Sequence, residues 1–176
     1  VDRFDPLVTL AYDVSNNINI YGKYSTGYRA GGASSRSLTY RSFDPEEVKA
    51  YEIGVKSDLF DRRVRLNAAV YAMDRTDSQI DFSLVTVQGA STRNTLETIN
   101  APGTTKIRGV ELEGQFRATD NLTLSASYAY TDAKVPDTVN PFNGQTQKVF
   151  IAFTPENAAS FAADWNSPFM GATLKA

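Results

Sequence analysis

Residues Ile107–Tyr130, IRGVELEGQFRATDNLTLSASYAY, alternate so regularly that their reading decides the fold. In the first half Val110, Leu112, Gly114 and Phe116 share one parity. Gly109, Glu111, Glu113, Gln115 and Arg117 share the other. Successive side chains of a β-strand point to opposite faces, so this half has one apolar and one charged surface. Ala118-Thr119-Asp120-Asn121 supplies residues that tolerate turn geometry. In the second half Leu122, Leu124, Ala126, Tyr128 and Tyr130 stand against Thr123, Ser125, Ser127, Ala129 and Thr131. The stretch is predicted to be a β-hairpin, two strands of roughly ten residues around a short turn.

The same unit recurs on both sides of it. Leu7–Asp13 puts Val8, Leu10 and Tyr12 on one face. After a turn at Ser15-Asn16-Asn17, Ile18–Ser25 sets Ile18, Ile20, Gly22 and Tyr24 against Asn19, Tyr21, Lys23 and Ser25. An irregular stretch, Thr26–Glu46, follows. It is far longer than an ordinary connection, so it is expected to be functional or disordered. Val48–Leu59 carries Tyr51, Ile53, Val55 and Leu59 on one face, and Phe60-Asp61-Arg62-Arg63 turns the chain. Val64–Met73 is the next strand, expected to run on to Phe82 because Ile80 and Phe82 keep its parity. Ser83–Thr105 and Ala133–Lys148 are the other long connections. A seventh strand is expected over Ala158–Trp165, a turn at Asn166-Ser167-Pro168, and the start of an eighth strand at Gly171–Ala176. The predicted fold is all-β: an antiparallel up-and-down meander of about eight strands in one domain, residues 1–176, with short turns on one edge and long connections on the other.

Composition limits the chemistry. The 176 residues contain no cysteine and no histidine, which excludes disulfides, thiolate nucleophiles, Cys/His zinc sites and a Ser-His-Asp triad. The net charge of −2 gives no electrostatic case for nucleic acid. No cofactor or metal site is expected. No apolar run approaches the roughly 20 residues of a transmembrane helix, but a barrel strand needs only about 9–11 residues with alternate positions apolar.

A soluble antiparallel sheet also alternates, so a soluble carbohydrate-binding β-domain is one reading. Three features favour a sheet facing lipid. The apolar faces are rich in Ala, Gly and Tyr, which would fill a close-packed core poorly. Aromatics sit near strand ends, with Tyr12, Phe116 and Trp165 by the short turns and Tyr24, Tyr128 and Tyr130 towards the long connections. The edges are asymmetric, as periplasmic turns and extracellular loops are.

The segments YGKYSTGYRAGG (Tyr21–Gly32), FDPEEVKAYEIGVKSDLFDRRVRLNAAVY (Phe43–Tyr71), IRGVELEGQF (Ile107–Phe116) and NLTLSASYAYTDA (Asn121–Ala133) resemble the β-barrel of TonB-dependent outer-membrane receptors. The likeness covers most of the chain, in order. It implies a barrel of about 22 strands, plugged by a separate N-terminal domain, in the outer membrane of a Gram-negative bacterium. It also implies uptake of a scarce nutrient such as a ferric siderophore, cobalamin or a saccharide. The TonB–ExbB–ExbD complex would drive uptake through a TonB box in the missing N-terminal region. No plug, TonB box or signal peptide is visible, and the chain ends Leu174-Lys175-Ala176 without a terminal aromatic. It is therefore expected to be an internal-to-late barrel fragment, truncated at both ends. The alternative is a complete eight-stranded barrel of structural or adhesive role.

Glu52, Lys56, Asn67, Glu111, Glu113, Gln115 and Arg117 are expected to face the lumen. Glu111 and Glu113 could instead form a glycosidase-like carboxylate pair. Charge pairing with Lys56, Arg65 or Arg117 is the plainer reading, and no enzymatic activity is expected. Gly27, Gly31 and Gly32 lack the GK[ST] ending of a phosphate loop. Tyr28, Arg29, Arg36, Tyr40 and Arg41 are candidate ligand contacts on the first long connection, because loops on a rigid scaffold commonly carry binding.

Overall fold

Seven strands, β1 (Leu7–Ser15), β2 (Ile18–Arg29), β5 (Glu46–Leu59), β6 (Val64–Thr76), β9 (Thr104–Arg117), β10 (Leu122–Lys134) and β13 (Asn157–Phe169), pair in that order into one antiparallel sheet. The short β14 (Ala172–Lys175) pairs with the far end of β13. Three small hairpins lie in the long connections: β3 (Gly32–Ala33) with β4 (Ser42–Phe43), β7 (Gln79–Gln88) with β8 (Ser91–Asn100), and β11 (Thr138–Val139) with β12 (Thr146–Gln147). These elements come from a computed structural model that describes residues 3–169 and 172–175. Among the described residues the strand order runs from β1 to β14 without closing on itself.

The alternation read in the sequence sets the register. Leu112 lies opposite Ala68 on β6 and Tyr128 on β10, and Glu113 lies opposite Asn67 and Ser127. The short turns follow their local chemistry. At Phe60, Asp61 and Arg62 the backbone enters the left-handed region, with φ of 52°, 53° and 65°. In the turn after β9, the Asn121 amide donates to Thr119 Oγ1 at 3.2 Å.

Several boundaries differ from expectation. β2 runs to Arg29 and β5 starts at Glu46, so the ends of the first long connection are strand. β6 stops at Thr76 instead of running on to Phe82. Asp77 takes φ 54°, and the chain then leaves the main sheet to form β7. Ser83–Thr105, read as a long connection, contains most of the β7–β8 hairpin, whose pairing runs from Gln79↔Asn100 to Gln88↔Ser91. β13 continues through Asn166, Ser167 and Pro168, where a turn was expected, because β14 supplies a partner for that end. Gly171 and Ala176 lie outside the described residues.

One face of the main sheet is apolar and uncovered. Leu10, Ile53 and Phe161 are 75%, 67% and 71% exposed there, with Leu66, Val70 and Leu112 among their neighbours. Tyr12, Phe116 and Trp165 end this face on the short-turn side. Tyr24, Tyr51, Tyr128 and Tyr130 end it on the other, and the Tyr24 and Tyr51 ring centroids lie 5.1 Å apart with the rings tilted by 41°. Among the described residues the only buried hydrophobic side chains are Phe82 and Ala101, both outside the main sheet. The sheet therefore has no core of its own.

On the polar face two tyrosines lie flat over glycines of the next strand. Tyr21 is opposite Gly54, and Tyr71 is opposite Gly109. A Cβ at Gly109 would meet the Tyr71 ring and lie 2.5 Å from the Tyr130 carbonyl oxygen, which cannot swing away as a side-chain tip can. A Cβ at Gly22 would meet nothing within 4 Å. Gly109→Ala is expected to lower stability by about 1–3 kcal/mol through overpacking, and Gly22→Ala to stay within about 0.5 kcal/mol. Urea unfolding of the full-length protein in lipid vesicles measures both; equal effects would show that ring packing over Gly109 is not what the position requires.

Candidate functional site: the polar face and its long connections

The register gathers the polar residues into rows that run across the strands. One row reads Asp13, Asn19, Lys56, Asn67, Glu113, Ser127 and Ser160, a polar side chain on each of seven strands. Asn19 donates to Asp13 at 2.8 Å and Asn67 Nδ2 to Glu113 at 3.1 Å, while the Ser127 and Ser160 hydroxyls lie 2.7 Å apart. The adjacent row carries Ala69, Ala129 and Ala158 beside Tyr21 and Glu111. Small residues there hollow out a concavity of about 530 Å³, open on one side. Tyr21 donates its phenolic hydrogen to Glu52 at 2.8 Å, and Lys56 Nζ lies 5.5 Å from the Tyr21 ring centroid.

All seven residues expected on the lumen side, Glu52, Lys56, Asn67, Glu111, Glu113, Gln115 and Arg117, share this face by register. Their partners differ from the expected charge pairs. Glu113 takes the Asn67 amide, Glu52 takes the Tyr21 hydroxyl, and Arg65 pairs with Asp58 at 2.8 Å. Arg117 and Gln115 stand with Arg62, Arg63 and Arg65 around a recess of about 200 Å³ at the short-turn rim. Glu111 and Glu113 sit two apart on one strand and do not face each other across a cleft. The face is a wall of hydrogen-bond donors and acceptors. Among the described residues no group of three or more acidic residues is placed to hold a metal ion. Tyr21, Tyr71 and the serine pair were missed as site residues, although their polar-face parity was visible.

At the other edge the long connections are held together by buried polar groups. Glu97 on β8 is 5% exposed; it accepts the Ser37 hydroxyl at 2.7 Å and the Leu38 amide at 2.9 Å. Asn100 caps the Asp44 backbone on both sides, accepting from its amide at 2.8 Å and donating to its carbonyl at 2.9 Å. Gln79 donates to the Ala30 and Asp44 carbonyls at 3.0 and 3.1 Å. Glu46, 4% exposed, takes Arg75 Nε at 2.9 Å and the Gln79 amide at 2.8 Å. The first long connection is thus seated on the β7–β8 hairpin.

The five candidate contact residues divide. Arg36, Tyr40 and Arg41 are exposed on that connection. Arg29 ends β2, opposite Glu46, so it belongs to a strand. Tyr28 also lies on β2, and Arg3 covers its ring at 5.0 Å from the centroid. Hydrogen bonds to Asp5 and Glu47 hold the Arg3 guanidinium above its ordinary range.

Comparison with known proteins gives one consistent answer. A family model described as TonB dependent receptor-like, beta-barrel, matches residues 1–175. The chain is 27% identical over 134 residues to the probable TonB-dependent siderophore receptor PiuA of Acinetobacter baumannii, covering 72% of this chain and 16% of that protein. It is 28% identical over 169 residues to the ferrichrome outer membrane transporter/phage receptor of Escherichia coli, covering 93% and 20%. The crystal structure of the ferric yersiniabactin uptake receptor FyuA from Yersinia pestis superposes with a TM-score of 0.69 at 19% identity, over 96% of this chain and 24% of that one. The chain therefore spans only about a fifth of the length of the curated relatives it matches.

The Glu97 carboxylate makes the connection testable. Glu97→Ala leaves the Leu38 amide and Ser37 hydroxyl without their partner, at a cost of about 1–3 kcal/mol. Hydrogen exchange followed by mass spectrometry is expected to speed up around residues 34–44 and 92–100 and to stay unchanged in β9 and β10. Unchanged exchange at residues 34–44 would show that Glu97 does not hold the connection.

Proposed function

Because this chain belongs to the TonB-dependent receptor-like β-barrel family, we propose that it is a stretch of barrel wall in an outer-membrane receptor that takes up a scarce, chelated nutrient. The observation that carries this reading is the uncovered apolar face, where side chains such as Leu10, Ile53 and Phe161 are largely exposed. In water such a face is a liability; against lipid it is the required surface. The paired backbone meets the other demand of a bilayer, since each central strand has partners on both sides.

In this reading the chain is one partial barrel domain within a longer receptor of about 22 strands. The polar face lines the lumen against a plug. Its seven expected residues, with Tyr21 and Tyr71, form a fixed hydrogen-bonding wall and carry out no covalent chemistry. The long connections face the cell exterior, where Arg36, Tyr40 and Arg41 are available to a ligand. A ferric siderophore is the favoured ligand class, supported by the names of the relatives. Coupling to TonB–ExbB–ExbD would lie in other parts of the receptor.

The orientation is tested by nitroxide labels at two neighbouring positions of β6 in the full-length receptor in lipid. Val70 is on the apolar face and 51% exposed, and Ala69 is on the polar face. The label at position 70 is expected to collide with oxygen several-fold more often than the label at 69. Equal or reversed accessibility would put the apolar face inside and overturn the reading.

A further inference from the structure

The charges of the polar face are not spread evenly along the strands. At its middle, Lys23 and Lys56 stand among Glu52, Glu111 and Glu113. At the short-turn rim the balance reverses. Arg62, Arg63, Arg65 and Arg117 line the recess of about 200 Å³ together with Gln115 and Thr123, and no carboxylate lines it among the described residues. Backbone pairing fixes where these residues stand. Arg65 is opposite Gln115 across β6 and β9, and Arg117 is opposite Thr123 across β9 and β10. The Arg117 amide donates to the Arg63 carbonyl at 2.8 Å, which ties the turn to β9, and the Arg63 amide donates to the Phe60 carbonyl at 3.0 Å. Arg65 is held by Asp58 at 2.8 Å. Arg62, Arg63 and Arg117 form no ion pair among the described residues, and all three are exposed. They are thus grouped around one recess without a paired carboxylate, in a chain whose net charge is −2.

We propose that Arg62, Arg63 and Arg117, with Arg65, Gln115 and Thr123 beside them, form a binding site for a small polycarboxylate anion at the short-turn mouth of the lumen. The proposal rests on the polar face lining the lumen, as above. It gives an anionic chelator a second place to rest, at the end away from Arg36, Tyr40 and Arg41, where cargo leaves. A guanidinium presents a planar fork of donors that matches the two oxygens of a carboxylate. Here the forks come from three elements, the turn, β6 and β9, so they suit carboxylates separated along a ligand better than one compact phosphate. Gln115 and Thr123 add neutral donors. The concavity at the middle of the face offers no such place, because Glu111 and Glu113 line it and repel an anion. A lipid headgroup is no competitor, since Arg65 and Arg117 have the parity opposite to Leu66 and Phe116 and face away from the apolar band.

Full-length receptor in a neutral detergent is titrated with tricarballylate, its trimethyl ester and inorganic phosphate by isothermal calorimetry. Tricarballylate is expected to bind about tenfold or more tightly than either of the others, and more weakly as salt is raised. Arg62→Gln with Arg117→Gln is expected to weaken its binding on the order of tenfold. Arg62→Lys with Arg117→Lys, which keeps the charge and loses the fork, is expected to weaken it by less. Lys49→Gln with Lys106→Gln, which removes two exposed cations near the opposite edge, is expected to change it less than about twofold. Bound tricarballylate is expected to slow hydrogen exchange at residues 60–65 and 115–119. Heat-dependent gel mobility checks that each variant is folded. The proposal fails if the glutamine variant binds like the wild type, if the ester or phosphate binds as tightly as tricarballylate, or if the protection falls elsewhere. The spin labels at 69 and 70 separate the two readings: preserved contrast without tricarballylate binding overturns the arginine site alone, and absent contrast in the wild type overturns both.

Discussion

The antiparallel ladder from β5 through β6 to β9 holds Gly54 opposite Ala69 and Ala69 opposite Glu111, and most of what this molecule presents depends on that register. A slip of one residue in any strand would turn its apolar set to the polar side and its charges to the apolar side. The Tyr21 ring could then no longer lie over Gly54, nor the Tyr71 ring over Gly109. These two ring-on-glycine contacts act as local markers of register, because no residue with a side chain fits under the ring without something moving.

The sheet inverts the usual distribution of burial. A water-soluble domain of this size buries its large aliphatics, whereas here they are exposed and the buried groups are mostly polar: Ser37, Glu46, Ser78, Thr95, Glu97 and Thr105 among them. The buried polar groups lie in and around the long connections, where Ser37 meets Glu97, Ser78 meets Thr105 and Glu46 meets the Gln79 amide. A carboxylate such as Glu97 is tolerable there because two donors meet it. Hydrophobic contact inside the protein is thus not what organises either part. Backbone pairing organises the wall, and a polar network organises the connections.

What could be read from the sequence follows the same division. Strand parity needs only neighbours in sequence, so the alternation at Val110–Phe116, the short turn at Phe60–Arg63 and the shared face of Glu52, Asn67 and Glu113 were all legible. The β7–β8 hairpin was not. Its mixed sequence, QIDFSLVTVQ against STRNTLETIN, lacks a clean two-residue period on its second strand. Its first strand also inherits the parity of β6, which hid the break at Asp77. The clasp of Glu97 on Ser37 joins residues 60 apart, and no local pattern announces such a contact. Extension of β13 through Pro168 depends on the β14 pairing, which local turn chemistry does not report.

The aromatic residues at the margins of the apolar face also fix an angle. The row through Tyr12 reaches β9 at Leu112 after four strand-to-strand steps, but the aromatic there is Phe116, four residues further along. Two more steps bring Phe116's row to Ala163, and the aromatic is Trp165, two residues further. Tyr24 and Tyr128 keep the same proportion at the other margin, with four residues of drift over four steps. One residue of advance, about 3.4 Å, per lateral step of about 4.8 Å inclines the strands by roughly 35° to the normal of a plane that keeps the aromatics level. A closed wall that continued this stagger would have a shear number equal to its number of strands.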